Sequence, residues 1–126
     1  MSRPRIFVVD DNAPTRTLIH DTLELEGYEV LSLSDGRALI AALERMTPEL
    51  VILDVMMPRM DGFEVLKTMR NDERTRYIPV LMLTALDDPS STWKGWSGGC
   101  DYYMNKPFDT EDLLAVVGNL LAGVPA

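Results

Sequence analysis

LVILDVMMP, residues Leu50 to Pro58, sets four apolar residues against a single carboxylate. Leu50-Val51-Ile52-Leu53 does not alternate with polar residues, so it reads as a strand covered on both faces. Asp54 follows at once, with Val55, Met56 and Met57 beyond it. A charge beside a core costs several kcal/mol unless something compensates it. The stretch therefore predicts a central strand and, at its end, an acidic site with a compensating partner.

Working outward, the same pattern recurs. Ile6 to Val9 and Val80 to Leu83 are further unbroken apolar runs, while Glu29–Leu33 and Tyr102–Asn105 are more polar and read as edge strands. Helix signals lie between them. Asn12-Ala13-Pro14 opens a helix that Gly27 stops, and Asp35-Gly36 opens a second that reaches about Met46. Asp61 and Glu64 are spaced as in a capping box. Asp88-Pro89 pairs an N-cap with proline at the first helical position, and Asp109 with Asp112 repeats the cap pattern. Five βα units follow, which predicts a parallel sheet with helices on both faces.

Composition narrows the function. A chain of 126 residues suits one domain with a full core. The net charge of −8 argues against direct contact with nucleic acid. The longest apolar stretch, near the C-terminus, is too short to span a bilayer, and no targeting segment is visible, so no membrane contact is expected. Cys100 is the only cysteine, which points to a reducing cytoplasm and a small buried thiol. The lone His20 has no metal-ligand partner at helical spacing and reads as a surface or core-edge residue.

The residues that follow the strands carry the chemistry. Asp10 and Asp11 follow the first strand, Asp54 the third, Thr84 the fourth and Lys106 the fifth. Open α/β sheets bind ligands beyond the C-terminal strand ends. Three carboxylates, a hydroxyl and an ammonium would thus share one rim. Crowded carboxylates repel, and a hard divalent cation such as Mg²⁺ relieves them while Lys106 neutralises a further charge. An aspartate so placed is equipped to accept a phosphoryl group, with metal and Lys106 stabilising its oxygens and Thr84 bonding one of them.

Four segments, FVVDDN (Phe7–Asn12), LVILDVMMPRMDGFE (Leu50–Glu64), IPVLMLTA (Ile78–Ala85) and DYYMNKPF (Asp101–Phe108), resemble in order and spacing the response-regulator receiver domains of bacterial two-component signalling. The resemblance covers essentially the whole chain. It implies a flavodoxin-like, doubly wound α/β fold: a five-stranded parallel sheet of order 2-1-3-4-5 with five helices, as one domain over residues 1–126 with no output domain in this chain. It implies that Asp54 takes a phosphoryl group from the phosphohistidine of a sensor histidine kinase or phosphotransfer protein, with Mg²⁺ or Mn²⁺ held by Asp10, Asp11, Asp54 and the backbone carbonyl of Met56. Asp11 is the more direct ligand of the acidic pair. Lys106 is the site lysine, with a cis peptide to Pro107. Thr84 and Tyr103 form the switch pair, and the surface of the fourth helix, fifth strand and fifth helix is read by a downstream protein, an output domain or a second copy in a phosphorylation-dependent homodimer. Autophosphorylation and autodephosphorylation aside, the chain is not expected to be an enzyme.

Four features refine the expectation. Met56 is apolar and cannot orient an attacking water, which predicts a long-lived phosphoryl group. Trp93 and Trp96, three apart, read as packing on the sheet, with a partner surface as the alternative. Gly95, Gly98 and Gly99 weaken the predicted fourth helix, with Gly99 a candidate C-cap. Tyr102 and Tyr103 are adjacent and must face opposite sides of a strand, and the spacing to Lys106 selects Tyr103 as the switch aromatic. Among rivals, a phosphatase that works through an aspartyl phosphate needs an acid two residues after the nucleophile, where Met56 stands. A flavin or nucleotide domain needs a glycine- or hydroxyl-rich first loop, where Asp10-Asp11-Asn12 stands. A receiver-like docking module that is never phosphorylated is the remaining alternative.

Overall fold

The computed structural model describes residues 3–57, 60–84 and 99–123. Five parallel strands form one sheet in the order β2-β1-β3-β4-β5. They are β1 (Arg5–Val9), β2 (Glu29–Leu33), β3 (Leu50–Asp54), β4 (Val80–Thr84) and β5 (Tyr102–Asn105). All five residues of β3 and of β4 are buried, and four of β1, whereas β2 and β5 lie at the two edges and keep partial exposure. The unbroken apolar runs thus mark the strands covered on both faces.

Four helices are described: α1 (Ala13–Leu25), α2 (Gly36–Leu43), α3 (Gly62–Asn71) and α4 (Thr110–Leu121). The helix expected after Asp88-Pro89, with Trp93, Trp96, Gly95 and Gly98, lies outside the described residues. Gly99, the candidate cap, has φ +91°, a conformation that glycine adopts without a Cβ penalty. Each described helix starts as the sequence predicts: Asn12, Asp35, Asp61 and Asp109 each accept a backbone N–H with their side chains. Helix α2 ends at Leu43, ahead of the expected Met46. There the N–H groups of Arg45 and Met46 both turn to the carbonyl of Ala42, which closes the last turn before Pro48.

Alternation along the strands divides the core in two. Phe7, Val51, Leu53, Val80 and Met82 pack on one face with Leu39 of α2 and Val65, Leu66 and Met69 of α3. Ile6, Val8, Ile52, Leu81 and Leu83 pack on the other with Ile19 and Leu23 of α1 and Leu113 and Val117 of α4. This is the three-layer, doubly wound arrangement. Tyr103 joins the first cluster and Tyr102 the second, so the adjacent tyrosines face opposite layers. Cys100 is buried in the first cluster, and burial pushes its thiol up to about 11, as suits a packing residue. His20 is half-buried on α1, its ring nitrogens within hydrogen-bond distance of Ser32 on β2 and Glu24.

Candidate functional site: an acidic rim at the ends of the strands

Register brings the strand ends level. Val9 lies beside Leu53, Asp54 beside Leu83 and Thr84 beside Asn105. Backbone bonds carry the ladder one residue past the strands, from Asp10 N to Leu33 O, Val55 N to Leu83 O and Lys106 N to Thr84 O. The residues that follow the strands are therefore held on rigid backbone at one rim.

Asp10 and Asp54 are only 1% and 3% exposed, whereas Asp11 is open to solvent. One carboxylate oxygen from each of the three lies within 4.8 Å of the others. Lys106 Nζ reaches in from the β5 end, donating to Asp10 Oδ2 at 2.8 Å and standing 3.4 Å from Asp54 Oδ1. The lysine thus binds Asp10 more closely than Asp54. Thr84 is fully buried at the end of β4. The Lys106–Pro107 peptide is cis. Met56 is 56% exposed, and its N–H points to Asp54 Oδ1 at 3.4 Å.

Burial and the neighbouring Asp10 raise the Asp54 carboxyl from 3.8 to about 7, against the lowering pull of Lys106. Burial alone would lower the Lys106 ammonium, but its bond to Asp10 and the charges of Asp54 and Asp10 prevail and raise it. An all-oxygen donor set, half-buried and crowded with like charge, suits a hard divalent cation such as Mg²⁺ and offers nothing to a thiophilic metal.

Three supports of this rim were not legible as site residues. Arg16 Nη1 donates to the Asp10 carbonyl at 2.6 Å, and Asn12 N–H to Asp10 Oδ1 at 2.9 Å. Long helical side chains lean toward the helix N-terminus, which is the signal that aims Arg16 back at the first loop. Gly62, at the start of α3, packs so closely that a Cβ would fall 2.6 Å from the Asp54 carbonyl oxygen. Among the described residues, no helix is long and apolar enough to cross a membrane.

A parallel sheet of this order with an acidic cluster and a lysine at its C-terminal rim defines a signalling receiver. Residues 6–118 match the sequence model of the family described as "Response regulator receiver domain". The chain belongs to that family, whose members are signalling domains of two-component systems rather than enzymes in the ordinary sense. It is 44% identical over 118 residues to the DNA-binding dual master transcriptional regulator RpaA of Synechocystis, covering 94% of this chain and 49% of that protein. It is 40% identical over 117 residues to the alkaline phosphatase synthesis transcriptional regulatory protein PhoP of Bacillus subtilis, covering 93% of this chain and 48% of that one. The chain spans about half the length of these relatives. Among solved structures, chemotaxis protein CheY4 of Vibrio cholerae superposes with a TM-score of 0.89 at 33% identity, covering 94% of this chain and 99% of that one.

Proposed function

We propose that residues 1–126 form one receiver unit whose Asp54 accepts a phosphoryl group from the phosphohistidine of a histidine kinase or phosphotransfer protein. The observation that carries the reading is the meeting of Asp54, Asp10, Asp11 and Lys106 within one small rim. A carboxylate oxygen of Asp54 forms the new O–P bond as the P–N bond to the donor imidazole breaks, and the bonding pair stays on the imidazole nitrogen, which takes up a proton. Asp10, Asp11, Asp54 and the backbone carbonyl of Met56 would hold Mg²⁺ or Mn²⁺. When bound, the cation supplies positive charge that draws Asp54 into its ionised form and stabilises the transferred oxygens.

Lys106 holds its ammonium beside Asp54 and meets negative charge on the incoming group. Thr84 then bonds a phosphoryl oxygen, Tyr103 turns with it, and the face around β5 and α4 changes for a downstream protein, an output domain or a second copy. This is a population shift biased by a covalent charge. The cytoplasm, where such a kinase partner presents phosphohistidine, is the proposed compartment.

Intact mass after incubation with Mg²⁺ and a small acyl phosphate tests the reading. One added phosphoryl group on the parent chain, none on Asp54→Asn and none after chelation is the expected result. No addition to a folded parent would favour the docking module.

A further inference from the structure

We propose that the open edge of β2, with the groove between β2 and α2, docks an extended, acidic-apolar segment of a partner protein as a sixth strand. Among the described residues, strand β2 pairs only with β1. Glu29 N donates to Pro4 O and Leu33 O accepts from Asp10 N, so the odd residues of β2 bond inward. In a parallel ladder the alternate residues point the other way, which turns the N–H and C=O groups of Val30 and Ser32 outward. An edge of this kind is a template for strand addition.

Beside that edge lies an apolar groove of about 560 Å³, lined by Leu31 and Leu33 of β2, Ala38 and Ala41 of α2, and Arg45 and Met46 just beyond. Small alanines leave room there for the alternate side chains of an added strand. Charge selects the occupant. Arg45 lines the groove, and exposed Arg37 stands one helical turn before Ala41, on the side of α2 that Ala41 presents to it. Among the described residues neither guanidinium has a carboxylate within ion-pair distance. Glu44 does not neutralise Arg45, because it turns to the other side of α2, where it lines a small cavity with Arg74 and Asp72. In a chain of net charge −8 this is a local cationic frame around an apolar slot. A second copy would set arginines against arginines, whereas glutamates at the two ends of an apolar strand would meet them.

The probe is a fluorescein-labelled peptide, Glu-Thr-Leu-Thr-Leu-Thr-Glu, with leucines and glutamates on one face. Fluorescence anisotropy and amide shifts are read on the intact chain at low salt. Saturable binding with shifts centred on Val30, Ser32 and Ala41 is expected. Binding should weaken at least tenfold in R37E/R45E and vanish in A41E, an exposed helical site where glutamate is tolerated. A peptide with lysine for glutamate should not bind. No binding at millimolar peptide, or equal binding by R37E/R45E, overturns the proposal. So does self-association that A41E abolishes, which would assign the edge to a second copy.

Discussion

Gly62 stands against Asp54 with no room between them: a Cβ on Gly62 would lie 2.6 Å from the Asp54 carbonyl oxygen and 2.9 Å from the Val55 Cα. Both neighbours are backbone and cannot step aside. Gly62→Ala is expected to destabilise the fold by about 1–3 kcal/mol and to slow phosphoryl uptake by shifting Asp54. Gly118→Ala, in the interior of α4 with nothing within 4 Å of its Cβ, is expected to stabilise by about 0.5–1 kcal/mol. Urea melts of the two variants, run with acyl phosphate kinetics, check both signs.

The raised carboxyl of Asp54 sets a pH dependence. An unfolded aspartate ionises near 3.8, but in the metal-free fold Asp54 keeps its proton up to about 7. The native state therefore binds more protons between these values, and stability from this group falls as pH rises through the window. Asp54→Asn should match the parent near pH 4. It should exceed the parent by on the order of 1–2 kcal/mol at pH 8 without divalent metal, allowing for solvent screening at the open rim. Adding Mg²⁺ should close the gap. Thermal melts at the two pH values would reject this account if the gap were constant.

Arg70 ties together the rim opposite the site. Its guanidinium donates to the carbonyls of Gly99, Arg76 and Ile78 and to Asp101 Oδ2, at 2.8–3.0 Å. Asp101 Oδ2 in turn accepts from Val80 N at 2.8 Å, at the start of β4. Arg70→Ala is expected to cost about 2–3 kcal/mol. Arg70→Lys should recover only a small part, since one ammonium cannot reproduce the planar fork. Chemical denaturation of the pair, with equal losses, would show that charge rather than geometry matters.

Met56 offers no group that could orient water beside Asp54. Given phosphorylation at Asp54, Met56→Asn is expected to shorten the phosphoryl lifetime by roughly tenfold, equivalent to about 1.4 kcal/mol of barrier. The decay of the phosphorylated mass after removal of the donor measures it. An unchanged lifetime would place control of hydrolysis elsewhere.

Much of the architecture was legible because the signals were local. The apolar runs at Ile6, Leu50 and Val80 name the three central strands, and four caps fall where Asn12, Asp35, Asp61 and Asp109 predict. The strand ends likewise name the residues of the acidic rim. What stayed hidden depends on distance across the fold. No spacing connects Arg70 with Gly99 and Asp101, or reveals that Lys106 sits nearer Asp10 than Asp54. The fit of Gly62 against Asp54 depends on how α3 approaches β3, which a tight turn alone does not specify.

Asp54 ends the middle strand of five. Neighbouring strands are about 4.8 Å apart, so the edge strands lie about 10 Å to either side. That is beyond the Debye length at physiological salt, about 8 Å, whereas β1 and β4 fall inside it. Any change in the charge on Asp54 is therefore felt most at the ends of β1 and β4, one strand spacing away on either side, before a single side chain moves. The same group on an edge strand would leave the far loops screened. A central carboxylate has an unscreened strand end on both sides, an edge one on a single side.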